Sequence, residues 1–379
     1  MPDVIVVGAG PVGMLLAGEL HRRGVDTEVL ERRPSAGAGS RAIGIHAPVL
    51  AALEPSGTTE RLLADAVRVT RGEARSRGRT LGIVRFGELS TRFPFVATLP
   101  QESTERALAA AAPSPLRGAH VTAVDPRGAR VRVRAGVGGR PTERDATIVV
   151  VATGGGGRGL VYRPDAVRVH TYRDRYLMTD VAAATADDSV AVVNLDPSGV
   201  LESFPLPEGR RRFVAWDERG GDDEPSARAG RLREAMILRG DAAAADAVVE
   251  AAAFGVRRAI APRLRRGRVF TIGDAAHEVS PIGGQGMNLG LLDAVTLAPL
   301  LARWVQTGEA PEDALRRWEA RRVRSARVAA VMASANTTVG RALPGGADAL
   351  RRGVVRAMLL PPTGGIFARA YAMGFDSGA

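Results

Sequence analysis

Two rhythms of apolar and polar positions divide the chain. Residues 4–7, Val-Ile-Val-Val, form an uninterrupted apolar run between Asp3 and Gly8, which suits a short strand buried on both faces of a parallel sheet. Residues 14–23 are good helix formers stopped by Gly24, and residues 27–30 make a second short apolar strand ending at Glu31. A third apolar run covers 148–151 and another strand begins at Val269. Beyond the Gly-rich turn that follows, Leu297, Leu300, Leu301 and Trp304 recur at helical spacing, with Pro299 expected to kink that helix. Residues 67–99 and 161–270 read instead as short alternating strands. Among them are 190–195, 199–205 and 212–216, joined by Asp-Pro-Ser-Gly and Pro-Glu-Gly turns into one mixed or antiparallel sheet. Residues 220–224 are a polar turn, and 228–239 and 242–253 read as helices over the sheet's outer face. A long helix is expected at 311–342, with Glu312 and Asp313 in its first turn and a solvated basic face behind, then a loop and a short closing helix from 358. The fold class is α/β with α+β character: a Rossmann-like domain interleaved with a discontinuous β-sheet domain, followed by C-terminal helices.

Composition narrows the chemistry. The 379 residues contain no Cys, and the five His, at 21, 46, 120, 170 and 277, have no metal-ligand spacing. Thiol nucleophiles, iron–sulfur clusters and a metal centre are therefore not expected. All 52 basic residues are Arg, which removes Schiff-base chemistry. The formal charge of +11 is spread over helices and loops without a nucleic-acid module, so nucleic acid is not an expected partner. No stretch reaches the ~18 apolar residues of a membrane span, and no basic leader precedes the first strand, so a cytoplasmic protein is expected.

Gly8, Gly10 and Gly13 stand in GxGxxG spacing between the first strand and the first helix, and Glu31 follows 18 residues after Gly13. Small residues let backbone approach a pyrophosphate, the helix N-terminus supplies N–H groups and positive dipole, and the acid accepts ribose hydroxyls. Gly8, Gly10, Pro11, Val12, Gly13, Glu31 and Arg32 are thus candidate contacts for the adenosine end of FAD or NAD. An acid at this strand end disfavours a 2′-phosphate.

A second signature lies at 269–292, VFTIGDAAHEVSPIGGQGMNLGLL. It resembles the aromatic-hydroxylase class of FAD-dependent monooxygenases, the p-hydroxybenzoate hydroxylase-like superfamily. By that resemblance Gly273 and Asp274 are the pair that binds the ribityl chain of FAD, Pro281 faces the flavin, and 283–288 is the Gly-Gly-Gln-Gly-Met-Asn loop. The residues agree: the Gly-rich turn opens a helix whose free N–H groups around Met287 and Asn288 suit the negative charge that electrons leave on a flavin ring. Pro281, Gly283, Gly286, Met287 and Asn288 are taken as the catalytic loop, and His277 as a residue packed near the flavin rather than a base. The likeness extends to Ser40-Arg41-Ala42, matching an early Arg over the flavin, and to Leu99-Pro100-Gln101, whose Gln101 would touch the ribityl chain or ring. His46, Tyr172, Tyr176, Phe204 and Trp216 are candidates to face a substrate.

The resemblance implies a monooxygenase, with NADPH or NADH as electron donor, that hydroxylates or epoxidises an aromatic or polycyclic, polyketide-like molecule in natural-product biosynthesis. Oxygen would be transferred from a flavin C4a-hydroperoxide derived from O2. It implies an FAD-binding domain of residues 1–66, 100–160 and 268–310, a substrate-binding β-sheet domain of 67–99 and 161–267, and a C-terminal helical region of 311–379, in a monomer or homodimer. By the same resemblance, the thioredoxin-like C-terminal domain of larger relatives is not expected here. One departure stands out: where the family has an Asp-Gly pair after the 148–151 strand, this chain reads Ala152-Thr153-Gly154 and three further glycines. Thr153 and Gly154 remain candidate cofactor contacts, but nicotinamide handling is in question. That leaves open a cyclase with structural FAD, a reductase or dehydrogenase, or a non-catalytic FAD-binding protein.

Overall fold

The first apolar run becomes the centre of a sheet. Strand Val4–Val7 pairs in parallel with Thr27–Glu31 on one side and Ile148–Val151 on the other, and Ile148–Val151 pairs in parallel with Val269–Thr271. Arg265–Arg266 and Leu116–Arg117 complete the two edges of this six-stranded sheet. The computed structural model describes residues 1–35, 42–183, 189–218, 223–360 and 363–376. Alternation along each strand feeds two cores. Val4, Val6, Ile148 and Val150 pack under helices Pro11–His21 and Gln285–Thr307, while Ile5, Val7, Val149 and Val151 pack under a three-stranded meander.

That meander, Ala119–Arg127, Arg130–Val137 and Arg140–Ala146, is absent from the sequence reading. Its signal is the alternation of Val131, Val133 and Ala135 with Arg, and those three apolar side chains are buried.

The alternating segments build an eight-stranded sheet. Its order is His277–Glu278, Ala252–Ile260, Val169–Ala182, Arg210–Asp217, Gly199–Leu206, Val190–Asp196, Arg71–Ser76 and Arg79–Arg85. Helix Pro225–Ile237 covers its outer face, where Leu232 and Met236 meet Leu177, Leu201 and Phe213. The helix expected at 242–253 is a correction: only Ala242–Ala245 is helical, and Ala252–Ile260 is a strand. The Ala-rich run has helix propensity, but pairing with Val169–Ala182 overrides it.

Three helices close the chain: Glu312–Val339, Gly345–Leu359, which the sequence reading does not anticipate, and Thr363–Tyr371. Buried Arg351 fastens them to the sheet by donating to the carbonyls of Val339, Arg341 and Asp196 and to Asp348. Pro299 lies on the exposed side of Gln285–Thr307, which runs through it as one helix. Among the described residues no helix is long and apolar enough to cross a membrane.

The long helix can approach the first one because Gly290 has no side chain. A Cβ there would lie 2.6 Å from Val12 Cγ2 and 3.0 Å from Gly273 Cα, and neither the helix nor the turn can give way easily. Gly290→Ala is expected to lower stability by about 1–3 kcal/mol. Gly353→Ala, in a helix where a Cβ meets nothing within 4 Å, should raise it by about 0.4–1 kcal/mol. Thermal and urea denaturation of the two variants check the pair.

Candidate active site

Both sheets and the C-terminal helices contribute to one cavity of about 1640 Å³. An ordinary small-molecule pocket holds roughly 300–1,000 Å³, so there is room for a dinucleotide and a second molecule.

One end is built from the first strand–turn–helix: Gly8, Gly10, Pro11, Val12, Glu31 and Arg32 line it. Gly8 has φ of 109°, and a Cβ on it would lie 2.5 Å from the Ala152 carbonyl oxygen. A Cβ on Gly10 would meet nothing within 4 Å, so the space that residue leaves open belongs to the cavity. Glu31 is buried and doubly held, accepting from the Ala9 N–H at 2.8 Å and from the Arg33 N–H at 2.8 Å. Burial pushes its pKa up, but these bonds and the Arg33 guanidinium outweigh burial and hold it below the ordinary glutamate value. The acid therefore fixes the glycine turn and stays ionised.

Farther along, the 3₁₀ turn Gly273–Ala275 delivers Asp274 to the cavity. The turn is clamped from behind. Arg158, itself buried, donates to the Asp274 carbonyl at 2.6 Å and to Glu278 at 2.8 Å. Arg158 closes the glycine run, which forms a 3₁₀ helix, Gly155–Leu160, rather than an open loop. Thr153 and Gly154 border the cavity, and Thr153 Oγ1 is buried without a hydrogen-bond partner among the described residues. Gln101, first residue of helix Gln101–Ala109, also lines it and donates to Glu105 at 2.9 Å.

The third wall is the start of helix Gln285–Thr307. Pro281, Gly283, Gly286 and Met287 line the cavity, and Gly283 and Gly284 have φ of 103° and 67°, conformations that need glycine. N–H groups of the helix's first turn lack intrahelical acceptors, and the positive end of its dipole faces the cavity.

These three walls form a cradle for a long nucleotide cofactor, and comparison with known proteins gives its type. A family model described as an FAD binding domain matches residues 1–334. The chain belongs to this FAD-binding family. It is 33% identical over 338 residues to 6-methylpretetramide 4-monooxygenase of Streptomyces rimosus, covering 85% of this chain and 59% of that one. It is 31% identical over 356 residues to rifampicin monooxygenase of Streptomyces venezuelae, covering 85% of this chain and 68% of that one. The chain thus spans about three-fifths of the first relative's length. In fold it is similar to p-nitrophenol 4-monooxygenase of Pseudomonas putida, with a TM-score of 0.88 and 23% identity over 100% of this chain and 98% of that one. The family and these neighbours agree with the α/β fold class.

Several expected contacts of a family member prove to be framework. Gly13 does not line the cavity; a Cβ on it would lie 2.0 Å from the Gly8 carbonyl oxygen, so it lets the helix pack against the turn. Asn288 is fully buried and also absent from the lining. Its Oδ1 accepts the His46 N–H at 2.8 Å, and its Nδ2 donates to the carbonyls of Gly44 and Gly284. That side chain staples the Pro281–Met287 loop to helix Ala47–Leu53, with both its amide oxygen and nitrogen engaged. Arg41 lies outside the described residues.

Of the five aromatic or His candidates for the substrate side, His46 and Phe204 line the cavity. Burial lowers the His46 pKa to about 4, so its ring is neutral at pH 7. The other three are corrections. Tyr172 and Trp216 face a smaller pocket at the far end of the sheet, where Tyr172 meets Ser334 and Trp216 donates to Asp174. Tyr176 is fully buried one layer back, stacked on Phe254, and it is Phe254 that reaches the cavity.

Behind the Asp274 turn lies a charge network that the sequence does not display. Buried Asp293 accepts from the Gly273 N–H at 3.0 Å and from Arg322 Nε at 2.7 Å, and its Oδ2 lies 2.6 Å from His277 Nε2. Arg322 reaches on to Asp376 at 3.0 Å, which also accepts from Ser325. His277 therefore serves this network and does not line the cavity.

Burial pushes the Asp293 pKa up, but His277 and Arg322 more than reverse it and hold the carboxyl below its ordinary 3.8. A depressed pKa contributes stability that is complete above the ordinary value and is lost as pH falls through the lowered one. Asp293→Asn is expected to cost about 3–5 kcal/mol at neutral pH, because Arg322 loses a buried counter-charge. Urea titrations at descending pH should show the wild type losing stability more steeply on the acid side than the variant. Parallel acid limbs would place the stabilising charge elsewhere.

Proposed function

We propose that this chain is an FAD-dependent monooxygenase that uses NADPH or NADH and O2 to hydroxylate or epoxidise an aromatic or polycyclic small molecule in natural-product biosynthesis. The observation that carries this reading is the continuity of the cavity. One space joins the glycine turn, the Asp274 turn and the Pro281–Met287 loop to a broad apolar wall on the second sheet. A nucleotide site alone would not need that wall. The relatives are named as monooxygenases of 6-methylpretetramide and of rifampicin, which supports the substrate class.

FAD, when bound, supplies the electron transfer and oxygen activation that no side chain of this protein can provide. Its site fits on three counts: the open space over Gly10, an ionised acid at Glu31, and Asp274 held into the cavity by Arg158. The N–H groups of Gly10 and Val12 and the helix start behind them bind the pyrophosphate, those of Gly8 and Ala9 being engaged by the Leu30 carbonyl and Glu31, and Glu31 accepts the ribose hydroxyls. Asp274 holds the ribityl chain, with Gln101, Thr153 and Gly154 beside it. N–H groups of the turn around Gly286 and Met287 stabilise negative charge on the flavin ring. Pro281 and Gly283 bound the space where the substrate carbon is oxidised, and the apolar sheet excludes water from it. In this reading residues 1–66, 100–160 and 268–310 serve the cofactor, 67–99 and 161–267 serve the substrate, and 311–379 close the site.

Purified protein should show a flavin spectrum that NADPH or NADH bleaches anaerobically, faster with a bound polycyclic phenol. If dithionite alone bleaches it, the nicotinamide step is absent and Thr153 marks its loss. Asp274→Ala should weaken FAD binding about tenfold, the worth of one charged hydrogen bond. A folded variant with unchanged FAD affinity, measured by fluorescence titration of the apoprotein, would refute the ribityl assignment.

A further inference from the structure

The cavity wall formed by the eight-stranded sheet contains a row that runs straight across it. Ala74, Val193, Glu202, Val214, Met178 and Ala252 are register partners on successive strands, and all six line the cavity. Five are apolar. Glu202 sits among them 6% exposed, and its carboxyl makes no hydrogen bond or ion pair among the described residues.

Other charged groups on this side of the cavity are already engaged. Arg212, diagonal to Glu202 on the neighbouring strand, is held by Asp180 through two bonds of 2.6 Å. Glu73 is bound by Arg75, and Arg257 by Glu278. His46 is neutral, and burial pushes the pKa of Tyr371, from the last helix, upward, with Glu202 adding to the shift. Tyr176, under the sheet, is raised in the same way. Helix Glu312–Val339 offers Asn336, and Gly345–Leu359 offers apolar side chains. Burial pushes the Glu202 pKa up to about 7.

A buried carboxyl without a partner is costly, and one that opens into a ligand cavity can be completed by a ligand donor. A permanent cation would suit a fully ionised acid in a polar site. A carboxyl that is part neutral at pH 7 and surrounded by apolar wall suits an uncharged donor on a flat apolar molecule. We propose that Glu202 is a specificity-determining residue of the substrate site: its carboxylate accepts a hydrogen bond from a hydroxyl on the substrate's aromatic ring, so that hydroxylated rings are selected among planar apolar molecules. This rests on the aromatic-substrate reading above. The bond draws the O–H proton toward the carboxylate and leaves electron density on the ring, in the direction that favours its oxidation.

The FAD-loaded wild type and Glu202→Gln are titrated with 2-naphthol and with 2-methoxynaphthalene, which has the same ring system without the donor. Binding is read from perturbation of the flavin absorbance, at pH values from below to above 7. The wild type should bind 2-naphthol more tightly as pH rises through about 7 and Glu202 ionises, with no such rise for 2-methoxynaphthalene. Above pH 7 Glu202→Gln should bind 2-naphthol about tenfold more weakly and without the pH step, while binding of 2-methoxynaphthalene is unchanged. Equal loss for both probes, an unchanged 2-naphthol profile in the variant, or failure of the wild type to prefer or to bind 2-naphthol would overturn the assignment. The wild-type comparison of the two probes decides the matter even if the variant does not fold. Reduction by nicotinamide is read separately, so failure of the monooxygenase reading leaves this result interpretable.

Discussion

The site depends on one buried carboxylate. Asp293 lies in the third turn of helix Gln285–Thr307, away from the cavity, yet its two oxygens meet the Gly273 N–H, His277 and Arg322. Each partner belongs to a different piece of the cradle: the turn that presents Asp274, the strand that follows it, and the helix that carries the C-terminal region. Arg322 extends the tie to Asp376 near the end of the described chain. Such a cluster need not add net stability over an apolar core. Its effect is positional: with both Asp293 oxygens engaged, few arrangements of these partners are low in energy, and the one formed sets the Asp274 turn against the start of the long helix.

Around this anchor the backbone does most of the shaping. The six-stranded sheet draws on segments beginning at residues 4, 148 and 269, and each leaves it through a turn that borders the cavity. Glu31 holds the first turn and Arg158 the third, so an ion or hydrogen bond from a neighbouring segment supports each glycine-rich approach. After Thr153 the glycines close into a short helix, and Arg158 bridges it to the Asp274 turn.

What the sequence made legible was local. The turn of Gly8 and Gly10 with Glu31 was legible from the local order of strand, turn and helix, while Gly273, Asp274 and the Pro281–Met287 loop were marked by resemblance; the structure brings both stretches to one cavity. Asn288 lay inside the same motif, but its side chain answers to His46, 242 positions away, and no local pattern records that bond. Tyr172, Tyr176 and Trp216 were unreadable for another reason. Period-two alternation says that a strand has two faces, not which stretch of a face is roofed by which helix. Trp216 and Phe204 both lie on strands of the eight-stranded sheet, yet they meet different pockets. The meander at 119–146 carries its signal in an Arg-interrupted alternation that the sequence reading passed over, whereas the 242–253 stretch misled because Ala favours helix until a neighbouring strand competes for it.

The two halves of the cavity therefore use different physics. The cofactor half relies on backbone N–H groups, helix ends and ionised acids, which recognise phosphate and ribose by charge and direction. The sheet half is mostly Ala, Val, Leu, Met and Phe, and its charged residues other than Glu202 are paired, Arg212 with Asp180, Glu73 with Arg75 and Arg257 with Glu278. Apolar contact scales with buried area and discriminates weakly, since a methylene more or less is worth only about 1–3 kcal/mol, whereas a site that must satisfy a buried polar group rejects ligands lacking the matching atom far more strongly. In such a wall a single unpaired carboxyl outweighs its share of the surface. The apolar residues set how large and flat a molecule can enter, and Glu202 sets what that molecule must carry on its edge.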